Sequence, residues 1–188
     1  MSAAEIHIPR KVWTREEVAK IDPVLVESLE LINGELIDTM GKKIPHVFWT
    51  MRLARWLREQ FGEEFVRTEA PMDVSPEDNL LNEPEPDITV TFQPITLADV
   101  HNPEPSEVRL VVEISDTTFE FDRKVKARLY ARAGIQEYWV IDIRDSTAPR
   151  LFLHQDPRNG SYQTVHTFLH TSHVIVLKDR PLCLAQLI

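Results

Sequence analysis

The chain has 188 residues, 43% of them hydrophobic and 27% charged, which predicts one well-packed domain over residues 1–188. Its apolar runs are far shorter than the ~20 residues that cross a bilayer, and its first residues lack a signal-peptide core, so we expect no membrane partner. Its single cysteine excludes an internal disulfide and fits a reducing compartment, so we expect a cytoplasmic protein. The net charge of −9 argues against a nucleic-acid coat protein, although metal ions held by carboxylates would still let an acidic enzyme act on nucleic acid.

The first third of the chain carries signals for a helix and a β-hairpin. Thr14 and Glu17 have the spacing of a capping box, which predicts a short helix starting after Thr14. Asn33-Gly34 lies between two apolar arms over residues 29–37, and this dipeptide favours the positive φ angles of a two-residue hairpin turn. We therefore predict an N-terminal helix followed by a β-hairpin.

A long amphipathic helix is predicted over residues 45–61. Trp49, Leu53 and Leu57 fall on one face, and His46 lies on the same face. The arginines lie off that face and are either a solvated surface or a patch that contacts phosphate; they are Arg52, Arg55 and Arg58.

The remainder of the chain alternates between strand and helix signals. We predict strands over 65–74, 87–92, 108–115 and 137–143, a loop over 93–107, and a helix over 122–133 that ends at Gly134. Short apolar pieces after Pro149 predict two or three antiparallel strands as a C-terminal extension.

Glu113 is an acidic residue inside an otherwise apolar strand. Alternation along 108–115 places Leu110, Val112 and Ile114 on one face and Glu113 with Ser115 on the other. An unpaired buried carboxylate is costly, so we expect a positive charge beside Glu113.

Lys126 is the basic residue that points inward on the following helix. At 100° per residue it falls within the buried stripe that includes Leu129 and Tyr130, whereas Arg128 and Arg132 face outward. Asp87 at the start of one strand and Glu113 near the end of another then meet Lys126 at one sheet edge. Two carboxylates that share a site repel each other unless a divalent cation such as Mg²⁺ neutralises them, so the spacing indicates a metal-dependent phosphodiesterase. Asp87, Glu113 and Lys126 are then the expected catalytic residues, with Lys126 orienting or deprotonating the attacking water or offsetting charge in the transition state.

Structural interpretations of the same residues remain open. Asp87 after a proline is also typical of a turn or strand cap, Glu113 and Lys126 are also explained by a structural ion pair, and a lysine at the edge of a stripe can extend to solvent. His166, His170 and His173 have the spacing of a zinc site on a helix, but their surroundings favour β structure.

Several motifs recur together along the chain: Pro86-Asp87, Val112 to Thr118 with Glu113, Asp122-Arg123 with Lys126, Tyr130 to Gly134, Glu137 to Trp139, and Asp142. With the hairpin and His46 at the head of a helix, they span roughly residues 14–145. This set of motifs resembles the Uma-type family of putative restriction endonucleases, within the PD-(D/E)XK nuclease superfamily.

The resemblance implies an α/β, restriction-endonuclease-like fold with a mixed central β-sheet flanked by helices. It also implies that Asp87 and Glu113 are metal ligands, for which we expect Mg²⁺ or Mn²⁺. We expect Glu35, His46 and Ser115 as supporting residues of the site, although Glu35 is also explained as an edge charge after the hairpin turn and His46 as a core histidine. The superfamily's lysine would stand at Ser115, and in the Uma-type pattern it is thought to move to the following helix, where Lys126 lies.

We therefore expect a Mg²⁺-dependent endonuclease that acts on nucleic acid, with DNA as the expected substrate, and a homodimer as one arrangement common in the superfamily. A second hypothesis is a catalytically inactive nuclease-fold module that binds nucleic acid or another protein. A third is a hydrolase of another phosphorylated substrate that uses the same metal pair.

Overall fold

The computed structural model describes residues 11–26, 28–38, 41–177 and 179–188. The helices are α1 (Arg15–Val18), α2 (Pro23–Val26), α3 (Ile44–Phe61), α4 (Phe119–Phe121) and α5 (Ala127–Arg132), with a π-helical segment (Asp122–Lys126) between α4 and α5. The strands are β1 (Leu29–Ile32), β2 (Glu35–Asp38), β3 (Val66–Thr68), β4 (Ile88–Thr91), β5 (Val108–Ser115), β6 (Glu137–Asp142), β7 (Arg150–Arg158), β8 (Ser161–Leu169), β9 (Val174–Val176) and β10 (Arg180–Leu182). Short 3₁₀ turns occupy Glu63–Phe65, Asn79–Leu81, Pro105–Glu107 and Leu184–Gln186.

A six-stranded mixed sheet forms the centre of the molecule, in the order β3-β4-β5-β6-β7-β8. Strands β5 and β6 are parallel because the helical segment crosses between them, and the other neighbours are antiparallel. The predicted α/β fold with a mixed central sheet and flanking helices is therefore confirmed.

Local sequence signals account for the N-terminal elements. The Thr14 side chain accepts a hydrogen bond from the Glu17 backbone and the Glu17 side chain accepts one from the Thr14 backbone, which completes the predicted capping box. Asn33 and Gly34 both have positive φ and join β1 to β2 in the predicted hairpin.

Two hydrophobic layers pack on opposite faces of the sheet. One joins the α3 side chains Trp49, Leu53 and Leu57 to the β5 face that includes Leu110 and Val112, and residues of β9 and β10 complete it. The other joins Val111 on β5 to Tyr130 of α5 and to Tyr138. The predicted alternation of β5 is thus the reason that Glu113 faces the layer below α5.

Three predicted elements differ from the structure. Strand β3 is shorter than 65–74, because Glu69 has φ of 50° and Pro71 follows it. The helical segment begins at Phe119 rather than 122. The tail has four strands rather than two or three, and β7 and β8 form the predicted antiparallel extension by adding to the edge of the central sheet. None of the helices in the described part of the chain has an apolar stretch long enough to span a membrane.

Candidate active site

A cavity of about 130 Å³ opens where β4 begins and β5 ends. Acidic and basic side chains line it, together with the turn after β5. The charged lining residues are Glu30, Asp38, Lys42, Lys43, His46, Glu85, Asp87, Glu113, Asp116, Asp122 and Lys126.

The sheet register brings Asp87 and Glu113 to the same place. Ile88 pairs with Val112 across the antiparallel β4–β5 ladder, so Asp87, one residue earlier, lies beside Glu113, one residue later. Both side chains are buried, with exposed fractions of 5% and 4%. Two carboxylates that are distant in sequence therefore share one cavity.

Asp87 is held from three directions. Its Oδ2 accepts a hydrogen bond of 2.7 Å from the backbone N–H of Ile114 and lies 3.1 Å from His46 Nε2, and its Oδ1 lies 3.1 Å from Lys42 Nζ. Burial opposes ionisation of Asp87, but His46, Lys42 and the Ile114 amide outweigh it and lower the pKa of the carboxyl. Asp87 is therefore an oriented carboxylate.

Glu113 has the cationic neighbour that its burial demands. Lys126 Nζ lies 3.0 Å from Glu113 Oε1, and the Tyr130 hydroxyl donates a hydrogen bond of 2.9 Å to the same oxygen. Lys126 also forms an ion pair of 2.8 Å with Glu30, which reaches in from β1. The predicted meeting of Glu113 and Lys126 is thus present, and Glu30 joins it.

An excess of carboxylates governs protonation in this cluster. Burial raises the pKa of Glu113, and the nearby charges of Asp122, Asp87 and Glu30 raise it further against the opposing effect of Lys126. Burial disfavours the charge on Lys126, but its carboxylate neighbours outweigh that effect and raise the pKa of Lys126 well above its usual value. Lys126 is therefore a permanent cation at neutral pH.

Ser115, the position where the resemblance would place the superfamily's lysine, is fully buried. Its hydroxyl donates a hydrogen bond of 2.7 Å to Asp122 Oδ2, which accepts a second bond of 2.7 Å from the Thr118 hydroxyl. Asp122 begins the π-helical segment and Lys126 ends it, and both of these side chains line the cavity. Such turns occur frequently at functional sites.

The other two expected supporting residues, His46 and Glu35, have different positions. His46 lines the cavity through its contact with Asp87. Glu35 is exposed on β2 and is not among the described residues that line the cavity. The hairpin contributes Glu30 instead, which sequence reasoning missed although it is an acid between apolar residues, the signal that identified Glu113.

Lys42 is a second residue that the sequence did not reveal. It lies in the segment between β2 and α3 and bridges Asp87 to Glu69, with a distance of 2.6 Å to the Glu69 carboxylate. No periodicity applies to this connecting segment, so only the tertiary structure brings Lys42 to Asp87.

The donor set of the cavity suits a hard divalent cation. Asp87 and Glu113 supply carboxylate oxygens, and Mg²⁺ is typically held by one or two carboxylates together with water and substrate phosphate. Within the described ranges, no group of three or more His, Cys, Asp or Glu side chains is arranged to hold a metal ion, so the protein residues alone provide no complete cage. The residues fit an open Mg²⁺ or Mn²⁺ site that water and substrate would complete.

Comparison with known proteins agrees with this architecture. A crystal structure of a putative nuclease belonging to DUF820, from Anabaena variabilis ATCC 29413, matches with a TM-score of 0.64 over 95% of this chain and 97% of that chain. The two sequences are 16% identical, so this likeness shows the fold alone. No curated protein matches the chain. The model of the Uma2 family, described as putative restriction endonuclease, matches residues 25–181, and the chain therefore belongs to this family.

Proposed function

We propose that the chain is a Mg²⁺- or Mn²⁺-dependent endonuclease that hydrolyses phosphodiester bonds in nucleic acid, with DNA as its substrate. The observation that carries the proposal is the shared cavity of Asp87, Glu113 and Lys126. Two carboxylates and a buried lysine are the chemical groups that metal-assisted phosphodiester hydrolysis requires. Membership of a family described as putative restriction endonuclease supports the same reaction class.

Asp87 and Glu113 are the residues that would hold the divalent ion. When bound, the ion would polarise the scissile phosphate and lower the pKa of the attacking water. His46 and the Ile114 amide fix Asp87, while Lys126 and Tyr130 fix Oε1 of Glu113. These contacts reduce the reorganisation needed when substrate enters.

In this proposal Lys126 acts as a charge rather than as the base that deprotonates water. Its carboxylate neighbours raise its pKa and so favour the ammonium form, which offers no lone pair with which to remove a proton from water. We assign it the role of offsetting the negative charge that develops on the phosphate in the transition state.

A cleavage assay with matched variants tests the proposal. Circular and linear DNA, with RNA of the same sequence for comparison, would be incubated with Mg²⁺, Mn²⁺ or EDTA. Glu113→Gln and Asp87→Asn should lower cleavage by at least about 100-fold. Glu137→Gln is the matched control, because Glu137 is a buried carboxylate that bonds Trp139 and Gln155 outside the cavity. Full cleavage by Glu113→Gln, or cleavage in EDTA, would sink the proposal.

One observation favours a second candidate, a catalytically inactive nuclease-fold module that binds nucleic acid or protein. Lys42 already pairs with Asp87 and Lys126 with Glu113, as in a purely structural network of ion pairs. Calorimetric titration with Mg²⁺ and Mn²⁺ separates the candidates. The endonuclease requires binding heat that Glu113→Gln removes, whereas the inactive module requires none.

We also propose that double-strand cleavage uses two copies of the chain, because one cavity addresses one phosphodiester bond at a time. Light scattering with and without duplex DNA measures the assembly. Double-strand cleavage by a species that remains monomeric on DNA would contradict this arrangement.

A further inference from the structure

Three arginines form a cluster at the end of the sheet that carries the cavity: Arg123, Arg144 and Arg150, here called the arginine cluster. Asp142 on β6 pairs with Ser115 on β5 and with Arg150 on β7, so Arg150 is two strands away from the Glu113 strand. Arg144 follows Ile143, whose backbone N–H donates to the Ser115 carbonyl. The cluster therefore adjoins the candidate active site.

Two phenylalanine rings orient the guanidinium groups. The rings of Phe119 and Phe152 lie 5.2 Å apart, and Arg123 Cζ lies 5.1 Å from the first centroid and 4.6 Å from the second. Arg144 Cζ lies 3.8 Å from the Phe119 centroid, and Arg150 Cζ lies 5.6 Å from that of Phe152. Contact with an aromatic face restrains an arginine while its N–H edge can still bind an anion.

The cluster carries more positive charge than its neighbours neutralise. Asp142 is shared, with distances of 2.9 Å to Arg144 and 2.6 Å to Arg150. In the part of the chain that the structure describes, no carboxylate forms an ion pair with Arg123, and its buried Nε has no hydrogen-bond partner. Glu120 also lies within electrostatic range of Arg123 and Arg144, but its carboxylate pairs with Lys124 at 2.8 Å. The cluster therefore keeps an excess of positive charge, in a chain whose net charge is −9.

A short path connects the cluster to the cavity. Thr118 lines the cavity, and the next residue is Phe119, whose ring makes cation–π contacts with Arg123 and Arg144. Two of the three α3 arginines are neutralised, since Arg55 pairs with Glu59 at 2.9 Å and Arg58 with Glu63 at 3.0 Å. The third, Arg52, lies over the Phe48 ring at 5.2 Å. Between the two arginine sets, the one around Phe119 and Phe152 is better placed to bind a phosphate chain.

We propose that the arginine cluster binds the phosphodiester backbone of the nucleic-acid strand that leaves the cavity over Thr118 and Phe119. This inference rests on the proposed function for its choice of ligand. Guanidinium groups bind phosphate oxygens through paired N–H donors, without reading the base sequence. The cluster thus places the strand and adds affinity, while the cavity carries the chemistry.

Fluorescence anisotropy in EDTA tests the proposal without any cleavage. Labelled duplex DNA, single-stranded DNA and RNA would be titrated with the full chain and with Arg123→Gln, Arg144→Gln and Arg150→Gln at several salt concentrations. Each lost phosphate contact should weaken binding by about tenfold at low salt. For duplex DNA it should also reduce the slope of log K against log salt by about 0.9.

Two arginines outside the cluster serve as controls. Arg158 stands at the opposite end of β7 and pairs with Asp156 at 2.8 Å, much as Arg150 pairs with Asp142. Arg55 belongs to the α3 set. Arg158→Gln and Arg55→Gln remove the same charge, so an effect of net charge alone would appear in all variants equally. Arg123 is half-buried, so Arg123→Gln could unfold the chain. Arg144 is exposed, so Arg144→Gln still tests phosphate binding in a folded protein if that happens.

The outcomes separate this inference from the proposed function. Weakened binding confined to the cluster variants supports the inference. Equal binding by cluster and control variants, or no binding of any of the three nucleic acids by the parent chain, overturns it. If cleavage depends on Glu113 while the cluster variants bind nucleic acid as tightly as the parent chain, the endonuclease proposal stands and only the role of the arginine cluster is refuted.

Discussion

Lys126 Nζ lies 3.0 Å from Glu113 Oε1, although the two residues come from a helix and a strand. Glu30 lies 2.8 Å from the same nitrogen, and all three side chains are at least 95% buried. The cation therefore stabilises two carboxylates that have little contact with solvent, and its loss should be costly.

We expect Lys126→Met to lower the free energy of unfolding by about 3–5 kcal/mol, because it leaves buried carboxylates without their counter-ion. Urea denaturation at neutral pH measures this change. Lys124→Met is the control, since Lys124 is exposed and pairs with exposed Glu120, and it should leave the unfolding free energy unchanged within error. Equal effects of the two substitutions would contradict the prediction.

In the proposed metal site, Lys42 would compete with the divalent ion for Asp87. Its Nζ lies 3.1 Å from Asp87 Oδ1, so an ion bound there would be repelled by an existing positive charge. We expect Lys42→Met to increase the affinity for Mg²⁺ or Mn²⁺ by about fivefold, measured by calorimetry. Lys43→Met is the matched control, because the neighbouring Lys43 pairs with Asp116 instead. Reduced metal affinity in Lys42→Met would show that Lys42 assists the ion.

The Ser115 hydroxyl stabilises the Asp122 carboxylate and does not perform the role that a lysine at this position would have. Substitution Ser115→Ala removes one of two hydroxyl donors to Asp122 Oδ2 and should lower the unfolding free energy by about 1–3 kcal/mol. Thr118→Val removes the other donor and should have a comparable effect. Chemical denaturation of both variants and of the double variant measures how the two donors combine, and an unchanged stability of Ser115→Ala would refute this role.

His154 should make the fold sensitive to mild acid. Burial, with a smaller contribution from the charge of Arg123, lowers the pKa of His154 from 6.5 to about 4, against the opposing hydrogen bond to the Phe152 carbonyl. Between these two pH values the unfolded chain binds a proton that the native chain does not, so this residue's contribution to stability falls as the pH falls. The loss should reach roughly 3 kcal/mol by pH 4.

Denaturation curves between pH 7 and pH 4 test this expectation. The variant His154→Gln lacks the titrating group, so the difference between parent and variant isolates its contribution from those of the acidic residues. A parent chain that loses no more stability than His154→Gln over this range would show that His154 is not a source of acid sensitivity.

Local sequence patterns determined much of the fold. The Thr14 capping box, the Asn33-Gly34 turn and the apolar face of α3 each depend on neighbours within a few residues, so their physics is contained in the sequence. The inward direction of Lys126 also follows from helix periodicity. Lys126 is buried as that periodicity predicts, although it ends a π-helical segment.

Long-range register decided the site. Asp87 meets Glu113 because β4 and β5 run antiparallel with Ile88 opposite Val112, and no local pattern specifies that alignment. No local pattern specifies that Glu30, rather than Glu35, pairs with Lys126, or that Lys42 pairs with Asp87. The same holds for the arginines that come from three separate segments to the rings of Phe119 and Phe152. Periodicity in the sequence by itself therefore determined that Glu113 and Lys126 are buried charges, each of which demands a partner. Only the tertiary structure decided which partner each one has, because that choice depends on strand pairing between distant segments.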